Sequence, residues 1–181
     1  MDSKSLSKLL SLILRHQPEV IGATLDSAGW IDVDDLLEKL KLHGKAISRE
    51  LLENVVATSD KQRFAFSEDG ARIRANQGHS LSSVDLALEP TIPPDRLFHG
   101  TIANSIASIR ERGLEKRSRQ HVHLSKDEET ARIVGSRRGK PVILVVRSRE
   151  MHARGYAFYL SANHVWLTDH VPAEFIQFPE D

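Results

Sequence analysis

The chain has no cysteine among its 181 residues. That excludes disulfides, thiolate nucleophiles and the usual cysteine-based zinc sites, and it fits a reducing compartment. It also lacks an excess of either charge, because 25 Lys+Arg stand against 25 Asp+Glu. Any affinity for a polyanion must then arise from local arrangement rather than from net charge. No apolar run approaches the roughly 18 residues that a membrane span requires. Polar residues interrupt every apolar stretch that follows Met1-Asp2-Ser3-Lys4-Ser5, so no signal-peptide core is expected and the reading is a cytoplasmic protein. Neither Gly-x-Gly-x-x-Gly nor a Walker loop is present, which argues against a Rossmann or P-loop nucleotide site. What remains is an ordinary globular composition, 40% apolar and 28% charged.

The first half reads as helices followed by a hairpin. Leu6, Leu9, Leu10, Ile13 and Leu14 recur at helical spacing, and Pro18 must stop that helix. Asp32 is a cap for a second helix carrying Leu36, Leu37 and Leu40 and ending near Gly44. Ser48 opens a third with Leu51, Leu52, Val55 and Val56. Arg63-Phe64-Ala65-Phe66 and Arg72-Ile73-Arg74 alternate about a Glu68-Asp69-Gly70 turn. Three helices and then a hairpin is the order of a winged helix. Between Leu81 and Arg96 the pattern lapses around Pro90, Pro93 and Pro94. The expected division is therefore a first lobe at 1–85, a linker at 86–96 and a second lobe at 97–181. In that second lobe, strands are expected at Leu97-Phe98-His99, at His121 to Leu124, at Pro141 to Val146, at Ala157 to Leu160 and at His164 to Thr168. Helices are expected at Asn104 to Arg112 and at Asp127 to Val134. The whole is α+β, with a mixed, strand-rich second lobe.

Five short islands rich in Arg and His contain no acid: 14–16, 62–64, 74–80, 98–101 and 118–125. A site assembled from them would receive an anion, and the planar guanidinium fork suits two phosphate oxygens at once. Taken alone, each island has a plainer explanation. Arg15 and His16 compensate the dipole at a helix end, an effect of about 0.3–1 kcal/mol, and Arg63 is an edge charge on a strand. Gln77-Gly78-His79-Ser80 is a polar hairpin exit, and it lacks the spacing of a nucleophile elbow. His121 and His123 share a strand face, but without cysteine or a His-Glu-x-x-His helix a third metal ligand is missing, so no metal site is expected. Only convergence of these residues would favour a site.

In order along nearly the whole chain, Leu14-Arg15-His16-Gln17-Pro18, Asp26-Ser27-Ala28-Gly29-Trp30, Asp60-Lys61-Gln62-Arg63-Phe64, Ile73 to Ser80, His99-Gly100-Thr101, Arg119 to Ser125 and Asn163-His164-Val165-Trp166-Leu167 resemble the RNA 2′-phosphotransferases of the KptA type. The resemblance implies a winged-helix RNA lobe followed by an ADP-ribosyltransferase-like lobe that binds NAD+ as co-substrate. It implies a two-step reaction, in which an internal RNA 2′-phosphate attacks C1″ of the NAD+ ribose and expels nicotinamide. The ribose O2″ then attacks phosphorus, leaving RNA with a 2′-hydroxyl and ADP-ribose 1″,2″-cyclic phosphate. By motif match, Arg15, His16, Arg63 and Arg119 form the catalytic phosphate-binding group, with Arg117 the competitor for the last place. His16 is either a proton donor to the departing 2′-oxygen or a phosphate ligand only. His99, Gly100, Thr101, His123, Ser125 and Val165 belong to the NAD+ site. Arg74, Gln77, Gly78, His79 and Ser80 form a weaker phosphate-binding set. The implied partners are RNA with an internal 2′-phosphate and NAD+, with no membrane, no obligate protein partner and a monomeric state.

Two other classes compete. One is an ADP-ribosyltransferase acting on another acceptor, a phosphorylated nucleic-acid end or a protein; for a protein it would need an acceptor-steering carboxylate, and Glu174, the nearest candidate, follows Pro172 beyond the expected strand. A winged-helix DNA-binding regulator would need a positive recognition helix, whereas Ser48 to Ala57 carries Glu50 and Glu53 against Arg49.

Overall fold

A computed structural model of the chain describes residues 2–59 and 61–179. Met1 and Asp60, the first residue of one motif quoted above, lie outside the described residues, as do the last two of the expected second lobe. The chain forms two compact units that divide after Ala87. The architecture is mixed α+β, with six α-helices and small antiparallel sheets among the described residues. None of these helices is long and apolar enough to cross a membrane.

The N-terminal unit begins with α1 (Ser3–Arg15), whose first turn is capped by the Asp2 carboxylate accepting from Ser5 N at 2.9 Å. Its inward stripe, Leu6, Leu10, Ile13 and Leu14, is fully buried. Pro18 opens a short 3-10 turn, as its fixed φ and missing N–H require of a chain leaving a helix. Asp32 caps α2 (Val33–Leu42) by accepting from Asp34 N and Asp35 N, and Ser48 caps α3 (Arg49–Ala57) by accepting from Leu51 N. A two-residue strand β1 (Ile31–Asp32), which hydrophobic alternation does not signal, adds to the hairpin β2 (Phe64–Phe66) and β3 (Arg72–Ala75). The order is β1-β3-β2, with Phe64 opposite Ala75 and Ile31 opposite Ile73. Phe64, Ile73 and Ala75 close the same core as the three helices.

The C-terminal unit is built on β4 (Leu97–Ile102), twice the length that the sequence suggests. Next come α4 (Ala103–Arg112), β5 (Leu114–Glu115), β6 (Val122–Leu124) and α5 (Glu128–Gly135), capped by Asp127. β7 (Pro141–Val146), α6 (Ser148–Ala153), β8 (Tyr159–Leu160), β9 (Trp166–Thr168), β10 (His170–Val171) and β11 (Ile176–Gln177) complete it. β4 pairs with β7 along its whole length, from Leu97 opposite Val146 to Ile102 opposite Pro141. β6 pairs with β9, and a bridge between Phe98 and Ser125 ties β6 to β4. Gly100 lets α5 lie on β4, because a Cβ there would stand 1.8 Å from Ala131 O. The core gathers Leu97, Leu144, Val146, Met151, Phe158 and Phe175.

Candidate functional site

Arg15 closes α1 and His16 is its C-cap, so both stand where the helix presents its unsatisfied carbonyls. The segment after β3 runs back to this helix end. Ser80 N donates to Arg15 O at 2.9 Å, and Ser80 Oγ lies 2.9 Å from His16 Nδ1, which fixes the imidazole's orientation. Gly78, at φ +86°, makes the turn that allows this return. Arg63 is not in the hairpin strand, as alternation suggests, but immediately before it, following Gln62 at φ +41°. That backbone is held by a residue absent from the expected site: Asn76 N donates to Arg63 O at 2.9 Å and Asn76 Nδ2 to Gln62 O at 2.5 Å. Asn76 is buried. The amide in an otherwise apolar-alternating exit from β3 was the signal available in sequence. The consequence is convergence, since His16 and Arg63, 47 positions apart, line one groove with α1.

Arg74 does not enter that groove. Its guanidinium stacks 4.5 Å from the Trp30 ring centroid, beside Arg72 at 5.4 Å, and is partly desolvated, which lowers its pKa. His79, read as a polar loop residue, is 1% exposed. It packs against Gly29, and neither of its ring nitrogens has a hydrogen-bond partner among the described residues. Burial first, and then the charges of Arg15, His16 and Arg74, push its pKa down to about 4, so the ring is neutral at pH 7.

In the C-terminal unit the pleat of β4 sends alternate residues to opposite faces. His99 and Thr101 line a cleft of about 170 Å³, while Gly100 faces α5 and supports packing there. His99 Nδ1 is 3.1 Å from His123 O, which requires Nδ1 to donate. Burial lowers the His99 pKa. The bond to His123 opposes that shift, and Arg138, Arg119 and Arg117 reinforce it. Arg119 Nη1 donates to His123 Nδ1 at 3.0 Å, so this His nitrogen is unprotonated. Desolvation, Arg138 and Arg137 hold the Arg119 pKa below its ordinary value. Arg117 also reaches the cleft, but the contact to His123 is made by Arg119. His121 and His123 do share the cleft-facing side. Ser125 is engaged through its backbone with Phe98, at 2.8 Å in both directions, and Val165 closes a turn in which its N–H donates to Ser161 Oγ at 3.0 Å. Neither lines the cleft. Among the described residues the cleft wall carries Lys116, Arg117, Arg119 and Arg138 against the single carboxylate Glu115, a balance that suits an anion.

Residues 1–170 match the family model described as RNA 2′-phosphotransferase, Tpt1 / KptA family. The chain belongs to the Tpt1/KptA family. It is 55% identical over 175 residues to the "Probable RNA 2'-phosphotransferase" of Rhodopirellula baltica, covering 97% of this chain and 95% of that one. It is 56% identical over 176 residues to the protein of the same name from Flavobacterium johnsoniae, covering 97% and 96%. With the Pseudomonas aeruginosa protein, also so named, it shares 52% over 180 residues, covering 98% and 99%. Likeness to these Tpt1/KptA proteins runs through both units, so it covers the His16–Arg63 groove, Arg15 with its guanidinium 5.9 Å over the Phe64 ring centroid, and the His99–His123 cleft alike.

Proposed function

We propose that this protein removes an internal 2′-phosphate from RNA in an NAD+-dependent transfer. The N-terminal unit is read as a winged helix that receives the RNA, on the strength of its three helices followed by a hairpin. The C-terminal unit is read as an ADP-ribosyltransferase-like fold that takes NAD+. The observation that carries the reading is the groove shared by His16 and Arg63, with no carboxylate lining it among the described residues.

A phosphate is already anionic near neutral pH, so a group that attacks through it needs positioning rather than a carboxylate base. Arg63 supplies a bidentate fork, and its backbone is clamped by Asn76, which limits the freedom lost on binding. His16, oriented by Ser80, presents its imidazole to the same groove. On the NAD+ side, the residues fit an anionic dinucleotide: four cations face one carboxylate, and Thr101, Ser105 and Ser108 add hydroxyls. The enclosed volume is smaller than the roughly 300–1,000 Å³ of sites that engulf a ligand. A dinucleotide would therefore lie mostly along an open cleft. Bound there, NAD+ supplies an electrophilic ribose carbon with nicotinamide as its leaving group. Neutral His99 donates from Nδ1 to a backbone carbonyl, which orients Nε2 for hydrogen bonding, and Arg119 braces His123 beside it.

The test is incubation of the purified protein with a short RNA bearing one internal 2′-phosphate, with and without NAD+, and resolution of RNA and nucleotide products by mass. Loss of phosphate only with NAD+, together with ADP-ribose cyclic phosphate, is expected. Unchanged RNA beside a working control enzyme would refute the proposal.

A further inference from the structure

The outward stripe of α1 has no role in the chemistry above. Lys4, Ser7, Lys8 and Ser11 recur at three- and four-residue intervals opposite the buried Leu6, Leu10, Ile13 and Leu14, and they line the groove that ends at His16 and Arg63. Leu12, 38% exposed, lies in the same groove. The helix from Ser3 to Arg15 contains no acidic residue, and neither lysine makes an ion pair among the described residues. Helix stability does not call for this pattern. Lys4 lies in the first turn, where a cation opposes the helix dipole, and the acid at that end, the N-cap Asp2, is engaged by Ser5 rather than by Lys4. In a chain with equal numbers of positive and negative residues, the groove carries Lys4, Lys8, His16 and Arg63 and, among the described residues, no carboxylate.

We propose that the stripe Lys4, Ser7, Lys8 and Ser11 is a track for the single-stranded RNA backbone flanking the 2′-phosphate, with the Leu12 side chain as an apolar rest for a ribose or base. This rests on the proposed function for its His16/Arg63 end. From Lys4 to His16 the helix rises about 18 Å, the length of about five nucleotides of a strand stacked as in a duplex, at roughly 3.4 Å each. Affinity for single-stranded RNA therefore climbs with length to about five or six nucleotides and then levels off.

The direct test is fluorescence anisotropy of the full chain with a labelled, unphosphorylated eight-nucleotide RNA, without NAD+, across 50–200 mM salt. The double variant Lys4→Gln, Lys8→Gln is expected to bind about tenfold more weakly, with the salt slope reduced by about 0.7 for each lysine removed. Lys4→Arg with Lys8→Arg restores binding. The double variant Lys41→Gln, Lys45→Gln removes the same charge from exposed positions outside the groove and loses clearly less. Thermal melts establish that each variant is folded. In turnover of 2′-phosphorylated RNA, KM rises more for the eight-mer than for a dinucleotide when Lys4 and Lys8 are replaced. Undetectable RNA binding by the unaltered chain, an unchanged affinity and slope in the Lys4/Lys8 variant, or an equal loss in the Lys41/Lys45 variant would overturn the track. Because the binding readout needs neither NAD+ nor a 2′-phosphate, failure of turnover alone refutes the proposed function and leaves this result to stand or fall by itself.

Discussion

His79 should make this protein acid-sensitive in a specific window. Its ring is 1% exposed and its pKa is depressed from 6.5 to about 4 by burial and by Arg15, His16 and Arg74. The folded state therefore holds the neutral ring, while the unfolded chain binds a proton as pH falls below 6.5. Stability from this group is fully present above pH 6.5, declines below it, and is exhausted near pH 4. A depression of two and a half units corresponds to about 3 kcal/mol, of which about 2 kcal/mol is lost by pH 5. His79→Phe keeps a ring of similar breadth, removes two buried nitrogens that have no partner among the described residues, and abolishes the linkage. Urea unfolding of both proteins at pH 7.5, 6.5, 5.5 and 5.0 isolates the effect, since titration of the carboxylates cancels in the difference. The variant is expected to lose about 2 kcal/mol less than the parent between pH 7.5 and 5.0. Parallel loss in both, or an imidazolium signal from His79 in nitrogen-detected NMR at pH 6, would refute the reasoning.

Arg63→Lys should lower kcat/KM for 2′-phosphate removal by roughly a hundredfold, because a point charge cannot replace a bidentate fork. His16→Ala should lose at least as much with an unchanged melting curve. Asn76→Ala deletes the clamp on Gln62 O, and should destabilise by about 1–3 kcal/mol in denaturant melts and weaken phosphate binding through a looser Arg63. Gly100→Ala places a methyl 1.8 Å from Ala131 O, so α5 must move off β4. A cost of about 3 kcal/mol or more, read as a lower Tm, is expected, and a variant as stable as the parent would show that α5 adapts at no cost.

The locally encoded elements were legible. Asp32 and Ser48 cap where they were expected to, Pro18 ends α1, Gly113 ends α4, and Pro141 to Val146 is a strand. Each is signalled by neighbours within a turn. The two-residue strands β1, β5, β10 and β11 were not legible, since they exist only through distant partners such as Ile73 for Ile31. α6 is a six-residue helix without a side-chain cap, too short to show a period. Alternation passes through Arg63 and implies a strand from there, yet after Gln62 at φ +41° the strand begins one residue later, at Phe64.

Sequence by itself determined the chemical character of this protein: acid-free Arg/His islands in a neutral chain, no cysteine, and an ordered set of motifs that places it in the Tpt1/KptA family. Tertiary structure decided which island residues do what. Folding set His16 beside Arg63 and buried His79 as a neutral ring. It turned Gly100 toward α5 while His99 and Thr101 faced the cleft, and it brought Asn76 under the Gln62–Arg63 backbone. The reason is that residue type fixes charge and hydrogen-bonding capacity. Burial, convergence and the face a side chain takes depend on contacts between residues far apart in the chain, to which local pattern is blind.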